Sequence, residues 1–334
     1  MIVLDTISLV AALGMILFAS MLFTNGVEFL GHRLGMHQGA VGGILAAVGT
    51  ALPETIVPLI ALFWTGGEAA KEVGVGAIVG APFMLATLAM FVTGVAVFGY
   101  AATGRRSTQM DVHVTGLKGD LIFFLSLYGL AIAGTFIREI VWLRIGLAVV
   151  LLLSYGWYIR HTLRTDHEAV ELPDKLWIAS WLRLDAKTSW IVTQVVLALG
   201  IMIAGAHWFV GEVTDMASII GMSPLILSML ITPIATELPE KMNSVLWIGR
   251  GRDVLALGNI TGAMVFQSSF PVVLGMIATP WDLRGAPLVS AGIALVAGLW
   301  LLLVIRWRGR LSPWTLLACG PLYGLFIAYV VWWR

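Results

Sequence analysis

Residues 50–54 read Thr-Ala-Leu-Pro-Glu and residues 236–240 read Thr-Glu-Leu-Pro-Glu, so one short string occurs twice, each time inside a long apolar stretch. A charged carboxylate at the centre of a bilayer costs about 3 kcal/mol even on the mildest insertion scales, and intramembrane acids usually face a polar cavity. Glu54 and Glu240 hold matched positions in the two copies. The duplication therefore predicts one cation site shared by two carboxylates.

Composition predicts an all-α polytopic membrane protein. The chain has 334 residues, of which 59% are hydrophobic and 12% charged, and its mean hydropathy is +0.93. Apolar runs recur at lengths of roughly 20 residues, which is enough to cross a bilayer as a helix. The ten predicted transmembrane spans lie near residues 4–29, 39–63, 73–100, 119–137, 140–159, 189–210, 223–248, 254–279, 286–305 and 314–333.

Several classes of function are disfavoured by the same composition. A formal net charge of +1 argues against nucleic acid as a partner. The single cysteine, Cys319, excludes an intrachain disulfide framework and a cysteine-built metal site. We expect no cofactor, and the expected partners are the lipid bilayer and transported cations. The sequence does not determine an oligomeric state, and a single chain is sufficient for the transport that is inferred below.

The distribution of basic residues predicts the orientation in the membrane. Of the 20 Lys and Arg residues, 14 lie in the loops that follow odd-numbered spans, five lie on the opposite side, and Lys241 lies inside a span. Basic residues are concentrated in cytoplasmic loops. We therefore expect a multi-pass protein of the cell membrane with both termini on the extracytoplasmic side.

An odd number of spans in each half predicts an inverted repeat. The most polar stretch, residues 160–188, separates five predicted spans in residues 1–159 from five in residues 189–334. The first half starts outside and the second starts inside, so homologous halves would have opposite orientations. Many secondary transporters have this architecture, with the binding site near mid-membrane between the repeats. Residues 160–188 are then a cytoplasmic linker.

Direct alignment supports the repeat. Residues 34–54 align without a gap to residues 220–240, with six identities in 21 positions. A second arm follows each copy, GAIVGAPFML at residues 76–85 and GNITGAMVFQ at residues 258–267. The paired glycines of each arm are four residues apart, a spacing that lets helix backbones approach closely.

Prolines in both copies predict free backbone carbonyls at membrane depth. Proline has no N–H group, so Pro53 cannot donate to the carbonyl of Gly49, and Pro239 cannot donate to that of Ala235. Such carbonyls need another partner within the membrane, and a bound cation is one candidate.

At these residues the chain resembles the calcium/cation antiporter superfamily, which contains the sodium/calcium exchangers. The signature of that superfamily is a pair of inverted repeats, each with a G-T-S-L-P-E-like string followed by a G-N-x-x-G-S-N-x-x-N/D-like arm. The resemblance covers roughly residues 24–90 and 210–276, about two-fifths of the chain, and the second copy is the closer match. It implies that Glu54 and Glu240 bind the cation and that Thr50 and Thr236 assist them.

The chain also departs from the signature. Ala51 and Glu237 replace the serine that follows the threonine. In the arms, Ala81 of the first copy and Ala263 of the second replace the serine of the signature. Pro82 and Met264 replace its next asparagine, and Leu85 and Gln267 replace its final Asn/Asp. Only Gln267 keeps a polar side chain among these, so it remains a candidate ligand. The lost groups are ones that the resemblance associates with flanking sodium sites.

Glu237 has two interpretations. It is a candidate ligand beside the central pair, and it is also four residues before Lys241 in the favourable acid-before-base order for a helical ion pair. A structural ion pair and a functional one are both consistent with the sequence. A tethered ammonium can also take the place or the charge of a second cation.

The resemblance implies a secondary active cation antiporter that works by alternating access, with Ca²⁺ as the expected substrate and Na⁺ or H⁺ as the counter-ion. The alternatives are transport of another cation (Mg²⁺, or Na⁺ against H⁺), a passive channel, and an intramembrane hydrolase. A hydrolase needs a positioned nucleophile or an activating metal, and the sequence has no such motif. We therefore expect a transporter and not an enzyme.

Overall fold

A computed structural model of the chain describes residues 2–33, 51–110, 114–165, 175–185 and 187–332, and these ranges contain helices and loops but no β-strand. The 14 α-helices are α1 (Ile2–Arg33), α2 (Leu52–Phe63), α3 (Glu68–Met84), α4 (Met90–Ala102), α5 (Val114–Ala133), α6 (Val141–Thr165), α7 (Trp177–Trp181), α8 (Thr188–Ile220), α9 (Pro224–Gly249), α10 (Asp253–Gln267), α11 (Phe270–Ala278), α12 (Ala286–Arg308), α13 (Pro313–Leu317) and α14 (Gly320–Trp332). A π-helical segment, Leu85–Ala89, joins α3 to α4.

Every predicted span overlaps a helix of the described chain. Within the described ranges, eight helical stretches are long and apolar enough to cross a membrane. The two remaining predicted spans coincide with the shorter apolar helices Leu52–Phe63 and Pro224–Glu237, which carry the duplicated string. The prediction of a polytopic helical membrane protein is therefore confirmed. Of the ten predicted spans, eight correspond to helices of the described residues that are long and apolar enough to cross a membrane, and the full number of ten stays a prediction.

Helices α1 and α8 form a long pair, which packs against α2. Glycines permit the close contact: an added β-carbon at Gly205 would lie 3.0 Å from the side chain of Ile16, and one at Gly26 would lie 2.9 Å from that of Val195. Ile16 is fully buried in this cluster. The first predicted span of each half therefore packs against its counterpart.

The linker helix α7 is attached to this pair by buried amides. The Gln194 side-chain amide donates to the Leu22 carbonyl (3.0 Å) and to the Asn25 side-chain oxygen (2.8 Å). The Asn25 and Gln194 side chains in turn accept from the backbone N–H groups of Trp177 (3.1 Å) and Ile178 (2.8 Å). Because these polar groups satisfy each other, the start of α7 is held against α1 and α8 without an exposed donor.

Helices α3 and α9 pack with their backbones in close contact. A β-carbon added at Gly76 would lie 2.4 Å from the Leu225 carbonyl oxygen, and one at Gly80 would lie 2.2 Å from that of Met229. Real atoms do not approach so closely, so these two positions require glycine. The prediction of close approach is confirmed for the first arm; beside Gly258 or Gly262, no described atom lies within 4 Å of an added carbon.

We predict that Gly80→Leu strongly destabilises the protein, because the side chain would meet the backbone of α9 and force the two helices apart. Overpacking of a core typically costs about 1–3 kcal/mol, and here a backbone has to move as well. The measurement is the melting temperature of the detergent-purified protein. Gly146→Ala is the matched control, because Gly146 is an exposed helical glycine with open space around it; an equal loss in both variants would contradict the interpretation.

Candidate cation site

Glu54 lies at the start of α2, where proline directs the backbone. Helix α2 begins at Leu52 with Pro53 in its first turn, a position where the missing N–H group has no cost. The Glu54 side chain is buried, with 6% exposure. Pro58 lies inside α2 and cannot donate to the Glu54 carbonyl. Helix α2 packs against α3, α8, α9 and α11, so this carboxylate enters the protein interior between packed helices.

Helix α9 carries a row of buried hydroxyl groups that leads to the second copy of the string. The Ser228 hydroxyl donates to the Val73 carbonyl of α3 (2.7 Å) and lies 2.9 Å from the Thr232 hydroxyl. The Thr236 hydroxyl donates to the Thr232 carbonyl (3.1 Å). A hydroxyl that donates to a carbonyl still has acceptor lone pairs, so Thr236 remains able to coordinate a cation.

Sequence reasoning missed Ser228 and Thr232. The signal was available, because Ser228, Thr232 and Thr236 are spaced by four residues and therefore share one face of a helix. All three are buried. Together they form a polar face of α9 along its contact with α3.

Glu237, Lys241 and Gln267 form one buried cluster between α9 and α10. The Lys241 ammonium nitrogen lies 3.1 Å from Oε2 of Glu237, and the Gln267 amide donates to Oε1 of Glu237 over 3.0 Å. The Glu237 side chain is 1% exposed and that of Lys241 11%. The predicted helical ion pair is confirmed, and both carboxylate oxygens of Glu237 have protein partners.

Further along α9, the polar contacts continue towards its C-terminal end. Ser244 is buried and accepts a hydrogen bond from the Asn259 amide of α10 (3.2 Å), whereas its neighbour Asn243 is exposed. At the start of α10, Arg106 makes a bidentate ion pair with Asp253, with contacts of 2.6 and 2.8 Å. This second pair is also buried, and it joins the loop after α4 to α10.

The two arms lose regular α-helical geometry within one residue of the same aligned position. In the first arm, the π-helical segment begins at Leu85. In the second arm, α10 ends at Gln267, the residue aligned with Leu85, and the hydroxyls of Ser268 and Ser269 each donate to the Val265 carbonyl. Local departures of this kind are frequent at functional sites.

The first arm offers no side-chain oxygen at the replaced positions. Leu85 is buried in the main apolar cluster, and Ala81 and Pro82 are buried in the last turn of α3. Any ligand from this arm would have to be a backbone carbonyl. At the replaced positions of the two arms, the one side-chain oxygen is therefore that of Gln267 on α10.

Some predicted site residues lie outside the described residues. Gly49 and Thr50 are not among the described residues, and the side chain of Glu240 is not described, although its backbone belongs to α9. Ala235 is buried on α9, which runs without interruption past Pro239. Within the described part of the chain, no group of three or more His, Cys, Asp or Glu side chains is placed to hold a metal ion.

These helices and buried acids define a multi-pass helical membrane protein with polar groups at membrane depth. The sequence profile of the sodium/calcium exchanger protein family matches residues 4–163 and 190–332, and the chain belongs to this family. The resemblance to calcium/cation antiporters is thereby confirmed. The protein is a membrane cation antiporter of this family and not an enzyme.

Relatives and solved structures agree with this assignment. The putative antiporter CaxA of Alkalimonas amylolytica is 25% identical over 312 residues, which cover 91% of this chain and 90% of CaxA. The crystal structure of the H⁺/Ca²⁺ exchanger CAX matches with a TM-score of 0.72 and 17% identity, covering 98% of this chain and 82% of CAX. The sodium-calcium exchanger NCX_Mj matches with a TM-score of 0.58 and 18% identity, covering 98% and 99% of the two chains. The structural matches show a common fold.

Proposed function

We propose that the protein exchanges Ca²⁺ against protons across the cell membrane by alternating access. The observation that carries the proposal is the buried carboxylate of Glu54 at the start of α2, in one copy of a string that recurs on α9 within a family of cation antiporters. Two carboxylates carry the charge needed to neutralise one divalent cation. An empty pair of charged acids is costly in a low-dielectric site, so departure of one cation demands the arrival of another.

The proposed binding site combines side-chain and backbone oxygens. Glu54 and Glu240 supply carboxylates, Thr50 and Thr236 supply hydroxyls, and the backbone carbonyls of Gly49 and Ala235 complete the set. Ca²⁺ takes roughly six to eight oxygen ligands, and these groups with water reach that number. The buried hydroxyls of α9 support the proposal, because Thr236 retains free lone pairs beside the string. In this scheme Glu237 and Gln267 adjoin the site.

The proposed architecture is two inverted five-helix repeats, residues 1–159 and 189–334, joined by a cytoplasmic linker at residues 160–188. Two features of the fold support it: regular α-helix ends within one residue of the same aligned position in the two arms, and the first spans of the two halves pack together as α1 and α8. Alternating access then consists of movement of α1 and α8 against a core that contains both copies of the string.

The counter-ion is proposed to be the proton because the first arm lacks oxygen-bearing side chains. Ala81 and Leu85 are buried where the exchanger signature has polar groups, and Leu85 lies within the main apolar cluster. Without those ligands, few side-chain oxygens are available to bind Na⁺ and couple its movement steeply to transport. The carboxylates of the glutamates, in contrast, can bind and release protons themselves. Transport of Mg²⁺, exchange of Na⁺ for H⁺, and passive conduction are the alternatives that flux measurements separate.

We predict that Glu54→Gln and Glu240→Gln each reduce exchange to the background level of empty liposomes while leaving the protein folded, because both carboxylates are needed to balance one divalent charge. The measurement is Ca²⁺ flux into proteoliposomes, with size-exclusion chromatography as the test of folding. Glu68→Gln is the matched control, since the Glu68 side chain is 85% exposed. Flux at the wild-type level in either site variant would rule out the shared site.

We predict that both termini are extracytoplasmic and that residues 160–188 are cytoplasmic. Cysteines introduced in a Cys319→Ser background and treated in intact cells with an impermeant maleimide should react at Glu68 and remain unlabelled at Gly104. The native thiol has to be removed only as a precaution, because Cys319 is fully buried. The opposite labelling pattern would reverse the proposed orientation.

We predict that Ca²⁺ efflux from loaded proteoliposomes follows a proton gradient and responds weakly to external Na⁺. The measurement varies Na⁺ at clamped pH and then pH at constant Na⁺, with choline as the replacement cation. Steep, cooperative activation by Na⁺ together with no response to the proton gradient would refute proton coupling. Efflux that needs no opposing gradient at all would instead indicate a channel.

A further inference from the structure

The buried cluster of Glu237, Lys241 and Gln267 has the chemistry of an occupied cation site. A carboxylate oxygen of Glu237 contacts a positive charge at 3.1 Å, and that charge is the ammonium of Lys241. The second oxygen of Glu237 accepts from the Gln267 amide, which fixes the carboxylate between α9 and α10. The Gln267 amide oxygen is not used by that hydrogen bond, so the cluster contains two kinds of oxygen that bind hard cations.

The cost of burial argues against a purely incidental pair. Taking two charges out of water carries a desolvation penalty that their attraction often fails to recover, and a pair of apolar side chains is frequently as stable or more stable. This pair is also on the helix that carries the second copy of the string, where Glu237 and Lys241 flank Glu240 in sequence. The ammonium therefore sets the net charge within one helical turn of a proposed cation ligand.

We propose that Lys241 is a resident cation: its ammonium permanently fills a monovalent-cation position formed by Glu237 and Gln267. This inference rests on the proposed function and deepens it, because it explains how the site can carry a divalent cation without binding a further monovalent cation from solution at Glu237. The ammonium neutralises Glu237. Glu54 and Glu240 then provide two negative charges, which match one divalent cation or two protons.

The inference predicts that removal of the tethered ammonium opens the position to a cation from solution. In Lys241→Ala, the buried charge of Glu237 loses its contact with the ammonium, and the lost side chain leaves space beside it. Na⁺ or K⁺ should then bind at this position and stabilise the folded protein, because a ligand that binds only the folded state raises its stability by mass action. The double variant Glu237→Gln/Lys241→Ala has no charge to neutralise and should not bind the added cation.

The test is the melting temperature of the detergent-purified full-length protein. Unfolding is monitored through the fluorescence of its 14 tryptophans. Na⁺ or K⁺ replaces N-methyl-D-glucamine at constant ionic strength, so that screening is unchanged. In Lys241→Ala we expect a saturable rise in melting temperature as Na⁺ is added. Its half-saturation should fall at a Na⁺ concentration about tenfold or more below that of any response in the wild type or the double variant. A tenfold difference in affinity corresponds to about 1.4 kcal/mol.

Arg106→Ala is the matched control. It removes the cation from the other buried ion pair, in which the Arg106 and Asp253 side chains are 7% and 1% exposed. This variant should also be destabilised, but its melting temperature should not respond selectively to Na⁺ or K⁺. An equal cation response in Arg106→Ala, or a folded Lys241→Ala that ignores both ions, would overturn the proposal.

Glu237→Gln decides the question if Lys241→Ala does not yield folded protein. Its glutamine keeps the shape of the side chain, and the ammonium of Lys241 loses the negative charge of Glu237 next to the central site. Half-saturation of the Ca²⁺-dependent rise in melting temperature should move to a concentration about tenfold higher than in the wild type, an effect of 1.4 kcal/mol. An unchanged Ca²⁺ response would mean that the pair is only structural.

The two proposals fail separately. Melting temperature reports binding and does not depend on transport, so a wild-type protein that shows no Ca²⁺ exchange would contradict the proposed function alone. A monovalent-cation response confined to Lys241→Ala would still identify Lys241 as the resident cation. Conversely, proton-coupled Ca²⁺ exchange in the wild type with no such response in Lys241→Ala would leave the antiporter intact and remove the role of the ammonium.

Discussion

Every charged or polar group inside the membrane needs a partner within the protein, because hydrocarbon offers no hydrogen bonds. The described fold meets this requirement by concentrating polar groups along α9 and its contacts. Ser228 donates to α3, Glu237 is held by Lys241 and Gln267, and Ser244 bonds to α10. The surrounding helices are apolar and bury these groups. The polar face of α9 is therefore the part of the described fold whose buried groups need hydrogen-bond partners from neighbouring helices, and it is also the part whose side chains can bind a cation.

Close packing of α3 on α9 makes this polar face possible. Gly76 and Gly80 bring the two backbones together, and the Ser228 hydroxyl reaches a carbonyl of α3 only because of that approach. On the other side of α9, α10 supplies Asn259 and Gln267. A transporter core needs this combination, since small residues permit tight contact while hydrogen bonds fix which side chains face one another.

Sequence reasoning recovered the helical spans because apolar runs of about 20 residues have few other uses. It also recovered the family, because a duplicated proline–glutamate string inside apolar stretches is a specific pattern. The Glu237–Lys241 pair followed from helical spacing and is present. It missed the hydroxyls of Ser228 and Thr232, since serine and threonine in an apolar run are common and become informative only when a neighbouring helix buries them.

The sequence by itself determined that the chain crosses a membrane as helices, that its two halves carry matching strings, and that acidic residues lie at membrane depth. Hydrophobic length and local spacing are sufficient for those conclusions, because they depend on residues close together in the chain. Only the tertiary structure decided that Gln267 donates a hydrogen bond to Glu237, that α3 packs closely against α9, and that Leu85 is buried in the main apolar cluster. Those facts depend on contacts between distant segments, whose geometry is set by the packing of the whole bundle.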